Sequence, residues 1–99
     1  MQLEFTDLAL EDLSAIEKYT RENWGMQQAD VYIDLIELAI SNILDNPEVG
    51  PERPDIAENC RYLPEEKHLI FYRIDDDKIV ILAIPHSSMD IEKYLELEE

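Results

Sequence analysis

The chain has 99 residues, of which 24 are acidic and 8 basic, for a formal net charge of −16. That length gives one domain with one modest core, and an apolar share of 45% with only 2 glycines excludes a flexible linker or disordered tail. The lysines and arginines are scattered rather than clustered, so the phosphate-facing patch that nucleic-acid binding requires cannot be read here, and direct nucleic-acid binding is not expected.

In chain order, Leu3-Glu4-Phe5 alternates and predicts a short edge strand. Thr6 stands at a helix N-cap position, with Asp7, Glu11 and Asp12 placing negative charge near the positive end of the helix that follows. Leu10, Leu13, Ile16, Thr20 and Trp24 then recur every three or four residues as a helical stripe, and Gly25 ends it as a C′ glycine does. An aromatic at the position of Trp24 predicts packing at the hairpin tip or in the core. A second helix is predicted from about Met26 to Asp45. Ala29, Tyr32, Ile33, Ile36, Ala39, Ile40, Ile43 and Leu44 form its apolar face, and Asp30, Asp34 and Glu37 face water. Asn46-Pro47 stops it. Two long amphipathic helices joined by so little chain predict an antiparallel hairpin.

Residues 46–60 hold Pro47, Gly50, Pro51 and Pro54 and read as an irregular connection. Three strands are expected after it: Arg61-Tyr62-Leu63, residues 68–74, and residues 78–84, the last two joined through Asp75-Asp76-Asp77. Their apolar residues fall on both sides, so both sheet faces need cover. The hairpin supplies one cover, and a short helix over residues 89–97 is expected to shield part of the other. The expected fold is therefore a single α+β domain over residues 1–99: N-terminal strand, helical hairpin packed on an antiparallel sheet, short C-terminal helix.

No apolar run approaches the roughly 20 residues of a membrane span. Met1-Gln2-Leu3-Glu4-Phe5 has no basic or apolar leader, so no secretory signal is expected. A single cysteine, Cys60, cannot close an internal disulfide and fits a reducing cytoplasm; it reads as a buried, inert thiol. His68 and His86, both at strand ends, lack the converging Cys, His or carboxylate ligands of a metal site, and no cofactor is expected. They are read as ordering the sheet end and the turn from His86 to Asp90. Arg73 is expected to pair with an acid of the neighbouring turn, and Glu65-Glu66 and Asp75-Asp76-Asp77 to be solvated turns. Metal-independent RNA cleavage needs a base, an acid and cations for the phosphorane. Arg61, Arg73, Lys67, His68 and His86 are few for that task among so many carboxylates.

Several stretches together resemble the ParE-type toxins of the ParE/RelE superfamily. They are Thr6…Asp12-Leu13…Ile16…Tyr19, Trp24-Gly25, Gln28-Ala29-Asp30…Tyr32, Asp45-Asn46-Pro47-Glu48-Val49-Gly50 with Arg53-Pro54, and above all Arg61-Tyr62 leading to His68-Leu69-Ile70-Phe71-Tyr72-Arg73-Ile74, then His86 and Met89-Asp90. Pro85 stands where an aliphatic residue is usual, and Ser87-Ser88 where a basic residue is common. The resemblance implies a toxin of a type II toxin–antitoxin system that traps DNA gyrase on cut DNA without catalytic residues of its own. It also implies neutralisation by a ParD-like antitoxin; the expected assembly is a homodimer or a toxin–antitoxin hetero-oligomer. Arg61, Tyr62, His68, Tyr72, Arg73, His86, Met89, Asp90 and Tyr94 are the candidate partner contacts, with the 86–97 segment as the expected gyrase contact. The alternatives are a RelE-like messenger-RNA ribonuclease and a non-toxic regulatory relative.

Overall fold

A computed structural model describes residues 1–96; Leu97, the last residue of the helix and contact segment expected above, lies outside the described residues, as do Glu98 and Glu99. The elements run β1 (Gln2–Phe5), α1 (Asp7–Trp24), α2 (Met26–Asp45), β2 (Cys60–Glu65), β3 (His68–Asp75), β4 (Lys78–Ala83) and α3 (Ile91–Glu96). The sheet order is β1-β4-β3-β2. β2, β3 and β4 pair antiparallel as expected, whereas β1 joins β4 in parallel, with Leu3 opposite Ile79 and Phe5 opposite Ile81. Two antiparallel steps lead from β2 through β3 to β4, so β2 and β4 both run in the direction of β1.

Thr6 welds this junction. Its hydroxyl accepts from the Ala9 N–H at 3.0 Å, capping α1, and donates to the Leu82 carbonyl at 2.6 Å. Gly25, with φ of 97°, links the two helices. One face of α2 (Ile36, Ala39, Ile40, Ile43) meets Ile70, Tyr72, Ile79 and Ile81 from the sheet, and these form the main core. On the far face Phe71 and Val80 are buried too. Tyr62 stacks on Phe71 at 5.8 Å between ring centres, and the Arg53 guanidinium lies over Tyr62.

Three expectations are corrected. The buried row of α1 is Ala9, Asp12, Ile16 and Thr20, rotated from the expected stripe, while Leu10 and Trp24 are exposed. The fully buried Ala9 lies on the side of α1 that meets β4, and that contact sets the rotation. Asp12, expected to place charge near the positive end of α1, is consequently buried. The C-terminal helix does not shield the far sheet face either: Tyr94 donates its hydroxyl to Asp12 and so holds α3 against α1.

Candidate functional site

Where the hairpin meets the ends of β3 and β4, the surface opens into a groove of about 750 Å³. α1 contributes Asp12, Ile16, Tyr19 and Trp24, α2 contributes Tyr32 and Leu35, and the β2–β3 turn contributes Glu66 and Lys67. His68, Ile84, Pro85, His86, Met89 and Tyr94 complete it. Its lip carries large apolar surface in water: Trp24 is 69% exposed, Tyr19 65% and Met89 40%. A folded domain rarely leaves such a cluster open unless something binds there.

The floor is a connected polar network. Tyr32 OH lies 2.6 Å from His68 Nδ1 and 3.3 Å from the Lys67 N–H. Tyr32 OH and His68 Nδ1 share one proton; with the phenol as donor, Nδ1 accepts and the imidazole is neutral. Burial, with the adjacent His86, pushes the His68 imidazole below its ordinary range, against the opposing pull of Asp12. Burial likewise raises the Tyr32 phenol. The His86 ring meets His68 edge to face at 5.3 Å, and its Nδ1 accepts from the Ser88 N–H at 3.1 Å, with Ser88 Oγ at 2.8 Å. Asp12 accepts from the Ile84 N–H at 2.8 Å, a donor just past the end of β4, and from Tyr94 OH.

This chemistry is poorly suited to a metal. An imidazole whose Nδ1 accepts a backbone N–H carries its proton on Nε2, so His86 has no free lone pair to offer without giving up that bond. Among the described residues no three His, Cys, Asp or Glu side chains converge as ligands. Cys60 is buried outside the groove and burial pushes its thiol up to about 11, an unreactive state.

The candidate contacts divide. His68, His86, Met89 and Tyr94 line the groove. Asp90 caps α3, accepting from the Lys93 N–H at 3.3 Å. The other four lie away from it. Arg61 donates to the Gly50 and Glu48 carbonyls and to Glu52. Tyr72, fully buried, donates to the Pro47 carbonyl at 2.6 Å and accepts from the Gly50 N–H at 3.0 Å, so it is a pin for the 46–60 connection and has no surface for a partner. Arg73 pairs with Asp75 at 2.8 Å, as expected, and Tyr62 stacks on the far sheet face. Sequence reasoning missed Asp12, Tyr19, Trp24 and Tyr32 as groove residues. The four-residue spacing of Asp12, Ile16 and Thr20 was the available signal for the buried acid.

A profile described as "ParE toxin of type II toxin-antitoxin system, parDE" matches residues 3–91. The chain is 29% identical to a Mycobacterium tuberculosis protein named Toxin ParE1 over 77 residues, 77% of this chain and 79% of the relative. It is 28% identical to Toxin ParE1 of Caulobacter vibrioides over 84 residues, 85% of this chain and 86% of that one. Among solved structures, a chain of a chromosomal ParDE TA system from P. aeruginosa superposes with a TM-score of 0.75 at 25% identity, covering 87% of this chain and 95% of its own. A chain of the M. tuberculosis RelBE2 toxin–antitoxin complex does so with a TM-score of 0.59 at 27% identity, covering 86% and 95%. The match runs from β1 to the first residue of the short helix that Tyr94 ties to Asp12, and so takes in almost all of the groove: the chain belongs to the ParE toxin family of type II toxin–antitoxin systems.

Proposed function

We propose that this toxin acts in the cytoplasm as a protein-binding inhibitor of DNA gyrase, and that a ParD-like antitoxin neutralises it by laying an amphipathic segment into the groove beside α1. The exposed Trp24, Tyr19 and Met89 at the groove lip carry this reading. Aromatic and methionine side chains left in water around a concave floor are what a helix-in-groove partner buries. Two further observations support it. The relatives' solved structures are described as a ParDE TA system and a toxin–antitoxin complex. The cations are also largely spent within the chain: among the described residues Arg21, Arg53, Arg61, Arg73 and Lys78 all pair with carboxylates. Little positive charge is left for an RNA phosphate or a developing phosphorane.

One observation favours the ribonuclease alternative: Lys67, His68 and His86 do meet in the groove. Two measurements separate the readings. Purified protein is added to gyrase in a supercoiling assay, and to a messenger RNA with and without translating ribosomes. Inhibition with accumulation of cut DNA, and intact RNA, is the expected result. No effect on gyrase together with RNA cleavage would transfer the reading to the ribonuclease. The antitoxin assignment is tested by whether the adjacent open reading frame encodes a short ribbon-helix-helix protein that binds this chain.

A further inference from the structure

The junction between the start of β3 and the segment after β4 is held by groups that an added proton would turn against one another. His68 and His86 are direct antiparallel bridge partners, so their side chains leave the same side of the sheet. Two backbone bonds flank them: the Leu69 N–H donates to the Pro85 carbonyl at 2.9 Å, and the Ser87 N–H to the Lys67 carbonyl at 2.8 Å. Downstream, the Met89 N–H donates to the His86 carbonyl and the Tyr94 N–H to the Asp90 carbonyl. α3 is therefore hung from this junction, and among the described elements its contacts with the rest of the chain are sparse.

We propose that the His68–His86 pair is an acid-operated latch: when protonated it parts the 85–88 segment from the start of β3 and frees α3 from α1, which reshapes the groove. His86 uses Nδ1 as an acceptor toward the Ser88 N–H, and His68 Nδ1 shares a single proton with Tyr32 OH. A proton there turns an acceptor into a donor facing a donor. For His68 the phenol must then turn its own proton away, and its oxygen must accept from both the Lys67 N–H and Nδ1–H. For His86 the Ser88 hydroxyl can rotate to accept, but the Ser88 N–H is left without a partner. Two imidazolium rings 5.3 Å apart would also repel one another.

The groups facing the pair are Asp12 from α1, Tyr32 from α2, Glu65, Glu66 and Lys67 in the β2–β3 turn, Ser88, and Tyr94 of α3. Asp12 is the carboxylate that favours the protonated His68, and it is already engaged by Ile84 and Tyr94. Burial keeps His68 neutral near pH 7, so the latch is shut there and opens on acidification. This inference stands apart from the gyrase and antitoxin reading, because it concerns the conformation of the isolated chain.

Backbone hydrogen exchange tests it, with rates corrected for intrinsic chemistry at each pH. Protection of the Ser87, Met89 and Tyr94 amides should fall about tenfold or more from pH 7.5 to pH 5.5, while amides of β3 and β4 at Tyr72 and Val80 hold. Asparagine places an acceptor oxygen near the position of Nδ1 and does not titrate. The His68→Asn/His86→Asn double variant should therefore keep the turn and lose the pH response. Unchanged protection in the unaltered protein, or an equal fall in the double variant, overturns the latch. Should the double variant not fold, His86→Asn alone decides, since His86 is exposed: a fall as large as in the unaltered protein refutes the proposal.

Discussion

The groove beside α1 and the connection along β2, with the β2 and β3 side chains that grip it, both use aromatic and basic groups, yet they use them in opposite ways. In the connection every such group is consumed internally. Tyr72 OH bridges Pro47 and Gly50, Arg61 holds two carbonyls and Glu52, and Arg53 spans Asp55 and the Tyr62 ring. In the groove the polar floor is satisfied, but the aromatic lip is left in water. Residues of the same type thus hold structure in one place and offer contact surface in the other. Exposure separates the two, and composition does not.

Gly50 gives the sharpest way to break that contrast. A Cβ there would sit 2.2 Å from the Tyr62 carbonyl oxygen and 2.9 Å from Tyr72 OH, and the first of these is backbone that cannot swing aside. Gly50→Ala should destabilise by about 3 kcal/mol in denaturant unfolding, the upper end for overpacking. An unchanged midpoint would mean that the connection is loose. The groove should answer in the other currency. Trp24→Ala should leave the unfolding midpoint within about 0.5 kcal/mol but weaken antitoxin binding by about 2 kcal/mol, near thirtyfold, by calorimetry. A Trp24 variant that binds normally would take the partner off this lip. Tyr72→Phe keeps the ring but strands the buried Gly50 N–H and the Pro47 carbonyl, at a cost of roughly 1–2 kcal/mol in stability and none in binding per folded molecule.

Much of the connection's half of this contrast was hidden from the sequence, although most elements were not. Both long helices, the Thr6 cap, the Gly25 break and the hairpin through Asp75-Asp76-Asp77 follow from period and turn chemistry, because those signals are local. The parallel pairing of β1 with β4 joins positions more than 70 residues apart and leaves no local mark. The histidine pair was hidden for a subtler reason. A regular hairpin extended from Asp75 opposite Lys78 would set Pro85 against His68. One extra residue at the Phe71/Tyr72 register shift brings His86 there instead. Asp12 was misread because an acid near a helix N-terminus has a ready electrostatic explanation, and only the Ile84 N–H past the end of β4 and Tyr94 OH show what it is for.

The smallest expected effect comes from pH, and its sign follows from His68. Its folded-state pKa is depressed, chiefly by burial and then by His86, whereas in the unfolded chain it returns to the ordinary histidine value of about 6.5. Above that value both states are neutral and the stability is fully present. Below it the unfolded chain takes the proton first, so stability falls as the pH drops from about 6.5 through the lower folded value. Part of the shift is screened, since His68 is only half-buried, so the loss should be smaller than for Tyr72→Phe. The measurement is the denaturant midpoint at pH 7.5 and pH 5.5 in the unaltered protein and in His68→Asn. Groups away from His68 are common to both, so the difference between the two slopes reports this imidazole together with its coupling to His86. The unaltered protein should lose more stability on acidification than the variant. Equal slopes would mean that His68 titrates as it does in water, and that the groove floor is wetter than the Tyr32–His68 bond implies.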